Sequence, residues 1–199
     1  FLKNKLDTQN EFKNKTVVIH NFIDNLKIKK YEKEDYLINF GKFCKDKGTK
    51  TLLKVVKQLP NIKFIFAGYG PLENEFSKYE NIKFVGFKSG EELIELISKA
   101  RISIYPSEWY ENCPFSVIES QMYGTPVIGS NMGGIPELID IGKTGEVLEA
   151  KNSDDLKNKI LELWNNKQKL EEYTKNCEHI KNETIDSYLK KIINLYKEN

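Results

Sequence analysis

The 199-residue chain has two histidines, one arginine and three cysteines, and each shortage removes a class of chemistry. His20 and His179 stand far apart without a ligand partner pattern, and Cys44, Cys113 and Cys177 are odd in number with no C-x-x-C pair. Neither a structural zinc nor a disulfide framework is expected, no metal site is implied, and a reducing cytoplasm is the natural compartment. Arg101 is the sole arginine, so any phosphate must be met by lysine, a point charge without the guanidinium fork. Lys+Arg number 31 against Asp+Glu 29 and are interspersed. A clustered basic face is therefore lacking, which argues against a nucleic-acid partner. No run approaches the roughly 18 apolar residues of a membrane helix. The polar opening FLKNKLDTQNEFKNK does not resemble a signal peptide, and the missing initial methionine suggests a fragment of a longer protein.

What is present is a regular alternation. YLINF (36–40), KFIFAG (63–68), IKFVGF (82–87), RISIYP (101–106) and PVIGS (126–130) are short apolar runs that read as buried strands. Helical patterns separate them: TKTLLKVVKQL puts Leu52, Leu53, Val55, Val56 and Leu59 on one face, and GEELIELISKA (90–100) repeats the arrangement. Strand and helix in alternation predict parallel strands with right-handed crossovers, that is, a doubly wound, Rossmann-like α/β domain with its ligand beyond the carboxyl ends of the strands. Residues 1–20 read as a helix tail, a charged loop and a strand VVIH, with NFID (21–24) as a hinge. After Gly145 the pattern turns mostly helical. Ser153 is the expected cap of one helix, and Ile185, Tyr188, Leu189, Ile192 and Tyr196 form the apolar stripe of the last.

Four strand ends carry chemistry. GKFCKDKGTKT (41–51) joins a strand to a helix, with Lys42 and Lys47 flanking the loop and Gly41 and Gly48 allowing a tight turn. Two ammonium groups beside helix amides suit a diphosphate, although a lysine-rich solvated loop would look the same. AGYGPL (67–72) reads as a tight connector, lacks the spacing of a dinucleotide fingerprint, and sets Pro71 in the first turn of the next helix. ENCPFSVIES (111–120) places two glutamates eight positions apart around Pro114. Proline suits a first helical turn, so the helix opens there, with Phe115, Ile118 and Met122 expected on its buried face. The free amides of Phe115 and Ser116 then attract an anion, with Glu111 before them and Glu119 one turn further on. An anion between two hydroxyl-bearing groups describes a sugar nucleotide, whereas unrelated loop and surface carboxylates are the bland alternative. SNMGGIPELI (130–139) adds Gly133 and Gly134, which permit close backbone approach, and Pro136 at the start of a short helix. His20, His179 and Cys113 read by themselves as ordinary structural or surface residues.

In this order and spacing the stretches resemble the retaining glycosyltransferases of family 4, specifically the nucleotide-binding C-terminal half of their two-domain B-type fold. GKFCKDKG resembles the family's G-[RK]-x4-K-G, FAGYGPL its Gly-x-Gly-Pro turn, and residues 105–139 its E-x7-E signature with the glycine–proline elements that follow. The resemblance implies a UDP- or GDP-sugar donor and retention of anomeric configuration, with no metal or other cofactor. It further implies that Lys42 and Lys47, with Gly41, hold the diphosphate, that Glu111 binds the donor sugar, and that Glu119 holds the ribose. Asn112, Cys113, Pro114, Phe115 and Ser116 would line the donor, with Phe87 and Lys88 near the base. Glu111, Lys42 and Lys47 would be the catalytic groups. Lysine at position 42, where arginine is commoner, loses bidentate geometry.

The implied organisation is a remnant of the acceptor domain with hinge at 1–24, the donor domain at 25–180 and a crossover helix at 181–199. A sugar, lipid-carrier or protein acceptor would bind the missing N-terminal domain, in a cytoplasmic protein that allows peripheral attachment to the inner membrane face. Two rival readings are a non-catalytic nucleotide-binding or regulatory module of the same fold and an NAD-dependent oxidoreductase. The missing G-x-G-x-x-G disfavours the oxidoreductase.

Overall fold

The computed structural model describes residues 1–23, 31–180 and 184–198. Its centre is a six-stranded, wholly parallel sheet in the order β3-β2-β1-β4-β5-β6. The strands are β1 (Glu34–Lys42), β2 (Lys63–Tyr69), β3 (Ile82–Phe84), β4 (Ala100–Tyr105), β5 (Val127–Ser130) and β6 (Gly145–Leu148). Chain order runs outward from β1 to β3 and then reverses to β4 on the other side of β1. The switch point, where such sheets bind ligands, therefore lies between the carboxyl ends of β1 and β4.

Buried strands flanked on both faces need apolar side chains pointing both ways, and β1 shows why YLINF is continuous. Leu37, Phe64, Phe66, Ile102, Ile104 and Ile128 face one layer, packed on α2 (Thr49–Gln58), α5 (Ser153–Asn165) and α6 (Lys167–Glu178). Tyr36, Ile38, Phe40, Ile65 and Ala67 face the other, against Ile97 of α3 (Gly90–Lys99) and Tyr123, which follows α4 (Phe115–Met122). As expected, Leu52, Leu53, Val55, Val56 and Leu59 are all buried. Burying such side chains contributes on the order of 1.5–3 kcal/mol each before conformational entropy is set against it.

Several local expectations need correction. Gly145–Leu148 is a sixth strand, in register with β5 through Val127↔Gly145 and Ser130↔Leu148. It was hidden from a hydrophobic scan because only its ends are fully buried. Asn152, not Ser153, caps α5: its side chain accepts from the Asp155 amide at 2.9 Å, and Ser153 is already inside the helix. Residues 17–20 join no sheet among the described residues, and Val17 and Val18 are exposed. Pro71 lies in a turn ahead of a short 3-10 segment, Glu73–Lys78, rather than in a helical turn. The expected boundaries at 24/25 and 180/181 fall on residues 24–30 and 181–183, outside the described residues, as does the last residue of the expected NFID hinge.

At the amino end, α1 (Leu2–Leu6) and the segment after it lie against the molecule, where the Asn21 side-chain amide donates to the Cys113 carbonyl at 2.9 Å. In α7 (Ile185–Glu198) the expected stripe divides. Tyr188 packs on Phe22 with ring centroids 4.9 Å apart and the rings tilted by 48°, while Ile185, Leu189 and Tyr196 are exposed. Among the described residues no helix is long and apolar enough to cross a membrane.

Candidate functional site

Two loops leave the sheet on either side of the switch point and are stitched together. The first follows β1. Gly41 opens it at φ +120° with open space on its Cβ side, and Gly48 closes it in the left-handed region at φ +70°. A side chain at Gly48 would meet the Pro106 carbonyl oxygen at 1.8 Å, so glycine here lets the loop sit directly on the end of β4. The second loop, Pro106–Asn112, returns the contact. The Glu108 amide donates to the Asp46 carbonyl at 2.8 Å, and the Thr51 hydroxyl donates to the Glu108 carboxylate at 2.6 Å.

This stitching brings Lys47 and Glu111 together as an ion pair across the switch point. The Glu111 carboxylate also accepts from the Ser107 hydroxyl at 2.8 Å, and the Lys47 ammonium lies 3.4 Å from the Tyr105 hydroxyl. Burial presses the Lys47 ammonium toward deprotonation, but its hydrogen bond to Glu111 and the neighbouring Tyr105 outweigh it, and its pKa rises. Burial, helped by the Glu111 charge, pushes the Tyr105 phenol up to about 12. Lys47 is thus a fixed cation at neutral pH. The backbone of Glu111 is held from β5's side: the Gly134 amide donates to its carbonyl at 2.7 Å, and a Cβ on Gly133 would meet that oxygen at 2.1 Å. The close approach expected of Gly133 and Gly134 is made to Glu111 and Asn112.

Helix α4 opens beside this pair. Pro114 is its N-cap rather than its first-turn residue, and no side chain caps it. The Phe115 and Ser116 amides donate no backbone hydrogen bond among the described residues, which leaves partial positive charge at the crevice. Phe115 is 51% exposed, contrary to its expected burial, while Ile118 and Met122 are buried. The aromatic ring therefore flanks the helix mouth instead of joining the core. Ser120, fully buried, fixes the helix to the sheet: its hydroxyl lies 2.8 Å from the Ser103 hydroxyl of β4 and donates to the Ser116 carbonyl at 2.7 Å. That anchor sets the position of Glu119. The Glu119 carboxylate is half-buried, has no hydrogen bond among the described residues, and is pushed up in pKa by burial.

Lys42, at the last position of β1 and in register with Tyr69 of β2, is exposed. It lies at the same carboxyl edge as the loop that carries Lys47. Phe87 and Lys88 follow β3 at the same edge. Phe87 is exposed with its ring centroid 6.1 Å from that of Tyr69, and Lys88 pairs with Glu92 at 2.9 Å. Asn112 is exposed, and Cys113 and Ser116 are half-buried around α4's start. The structure therefore joins Lys47 to Glu111 and links Lys42 and Phe87 through Tyr69, while Glu119 stands one turn inside α4 with no hydrogen bond or ion pair to any of them among the described residues. A shallow hollow of about 500 Å³ lined by Gln121, Asp140, Thr144 and His179 lies at the opposite end of the sheet. Tyr105 and Ser107 escaped the sequence reading. The only signal they offered was their position at the end of a strand that enters the signature loop.

The family model described as "Glycosyl transferases group 1" matches residues 22–195. An uncharacterized glycosyltransferase of Methanocaldococcus jannaschii is 33% identical over 177 residues, covering 84% of this chain and 48% of that protein. Sulfoquinovosyl transferase of Arabidopsis thaliana is 28% identical over 138 residues, covering 66% of this chain and 27% of that protein. Among solved structures, TarM aligns with TM-score 0.76 at 22% identity, covering 88% of this chain and 38% of its own. Anabaena HepE, solved with UDP, aligns with TM-score 0.74 at 20% identity, covering 83% of this chain and 49% of its own. The chain spans about half the length or less of these relatives. With the parallel sheet, the switch-point loops and a family match over most of its length, the chain belongs to the group 1 glycosyltransferases.

Proposed function

We propose that this chain is the donor-binding half of a retaining glycosyltransferase that takes a nucleoside-diphosphate sugar and transfers the sugar to an acceptor held by an N-terminal domain. Residues 1–24 belong to the tail of that domain and its hinge, 25–180 to the donor domain, and 181–199 to a crossover helix. The observation that carries the reading is the Lys47–Glu111 pair at the β1/β4 switch point, beside the uncapped start of α4. It sets a cation, free amides and a carboxylate within one crevice. The diphosphate lies along Lys42, Lys47 and the Phe115 and Ser116 amides. Glu111 accepts from the sugar hydroxyls, Glu119 from the ribose, and the base rests near Phe87 and Lys88.

The chemistry follows from charge. When the bond between the sugar's anomeric carbon and the phosphate oxygen breaks, its electron pair leaves with the diphosphate, and negative charge grows there. Groups already aimed at that charge lower the barrier without reorganising. Lys42 and Lys47 supply the positive charge that a metal ion supplies in other phosphoryl and glycosyl sites. UDP is the first donor to test, because HepE is solved with it, and GDP is the second.

Calorimetric titration of the folded chain with a panel of nucleoside diphosphates checks the binding claim. Saturable binding of UDP or GDP supports it, and silence toward every diphosphate at millimolar concentration overturns it. In the full-length protein Glu111→Ala should abolish transfer. Unchanged turnover would instead identify a module that binds nucleotide without catalysing transfer.

A further inference from the structure

Glu111 is gripped unevenly. Lys47 and the Ser107 hydroxyl both meet its Oε1, and Oε2 accepts no hydrogen bond among the described residues. Ser107 is 1% exposed, and its hydroxyl has one proton to give. The Asp46 and Trp109 carbonyls lie at 3.3 and 3.4 Å, whereas the carboxylate lies at 2.8 Å and is charged, so the proton goes to Glu111. The hydroxyl is itself oriented, because the Trp109 amide donates to it at 3.3 Å. The Ser107 carbonyl is fixed too, accepting from the buried Ser130 hydroxyl at 2.5 Å. With the Glu111 backbone held by Trp109 and Gly134, the side-chain torsions that turn the carboxylate are what remain to be set.

Resting on the donor-site reading above, we propose that Ser107 is a positioning residue that keeps Glu111 Oε1 turned inward, so that Oε2 alone faces the donor sugar. Lys47 does the same in the empty site, but a bound diphosphate competes for its ammonium. Once Lys47 is shared with phosphate, Ser107 is the partner that stays, because its hydroxyl is buried and held by the Trp109 amide and its carbonyl is pinned by Ser130. The sugar then meets one carboxylate oxygen at a fixed place, which favours a hydroxyl pair that can reach a single acceptor.

The test uses the full-length enzyme and the Ser107→Ala variant, which removes one atom from the site. Loss of a hydrogen bond to a charged acceptor predicts a fall in kcat of about tenfold. Affinity for the bare nucleoside diphosphate, which does not touch Glu111, should stay within about twofold by the same reasoning. A merely structural role would weaken diphosphate binding along with transfer, and that joint loss overturns the proposal, as does a kcat within about twofold of the parent. If the parent enzyme binds no nucleoside diphosphate and transfers no sugar, the donor-site reading falls, and crystal structures then decide this inference separately. In Lys47→Ala the Glu111 carboxylate should remain against Ser107, and in Lys47→Ala combined with Ser107→Ala it should turn away. An unchanged carboxylate in the double variant overturns the positioning role.

Discussion

A half-buried carboxylate without a hydrogen-bond donor is expensive, and Glu119 is one. Burial raises its pKa above the ordinary 4.5, so the folded chain holds that proton more tightly than the unfolded chain does. Stability from this group is fully present below pH 4.5 and is lost as pH rises through the folded value. Once pH has risen past that value the empty protein carries a charge it would be more stable without. Glu119→Gln should therefore raise Tm in the unliganded chain, measured by calorimetry. If Glu119 accepts from the ribose hydroxyls, the same variant should weaken nucleoside diphosphate binding by about tenfold, the loss expected for a charge-assisted hydrogen bond. A variant that is both less stable and unaltered in binding would leave Glu119 without a ligand role. Opposite movement of the two quantities is the usual mark of a group retained for function. At this scale the sequence was informative about single groups: Lys47 and Glu111 were legible as chemistry at strand ends. Their contact was not, because it joins residues 64 positions apart and depends on Gly48 fitting against Pro106.

Elements were legible where their pattern was long. β1, β2 and β4 are continuous apolar runs because helices cover both faces, and α2 buries one unbroken stripe. The four-residue β6 has a half-exposed centre and is recognised only by its pairing with β5. The start of α5 shows the limit of local signals. Asn152, Ser153 and Asp154 are all good cap types, and nothing local ranks them. The fold decides, because the Asn152 amide is held by the Glu149 carbonyl at 3.1 Å and its side chain then reaches the Asp155 amide. Asn152→Ala should cost about 1 kcal/mol, while Ser153→Ala should change stability by only a few tenths. Urea denaturation of both variants checks the assignment, and a larger loss for Ser153→Ala would return the cap to that residue. The element also matters beyond itself, since Leu156, Ile160 and Leu163 of α5 pack in the cluster that supports β1 and β4 from below.

The two ends of the sheet treat charge differently: the carboxyl edge carries the exposed Lys42 and the Lys47–Glu111 ion pair, whereas the amino edge buries ionisable groups. At the amino edge Lys33 donates to the Thr125 hydroxyl at 2.8 Å, and burial lowers its pKa from 10.5 to about 8 despite the nearby Cys177 and Glu178. Burial raises the neighbouring Cys177 thiol from 9.0 to about 12. Their linkages run in opposite directions. Between about pH 8 and 10.5 the unfolded chain holds more protons at Lys33 than the folded chain does, so stability rises with pH. Between 9.0 and about 12 the folded chain holds the extra proton at Cys177, so stability falls with pH. Above the ordinary phenol value of 10.0 the Tyr36, Tyr105 and Tyr173 phenols, all raised by burial, add to the fall. The sum is a stability that climbs from about pH 8 to 9, levels, and drops beyond pH 10. Lys33→Met removes the climbing arm and leaves Thr125 satisfied, because that hydroxyl donates to the Ile97 carbonyl at 2.6 Å. The variant should gain roughly 1–3 kcal/mol at pH 7, since each unit of pKa shift corresponds to about 1.4 kcal/mol. Denaturation midpoints of both proteins from pH 6 to 11 measure this. A parent curve that is flat between pH 8 and 9, or a Lys33→Met variant that still climbs there, would place the charge burial elsewhere.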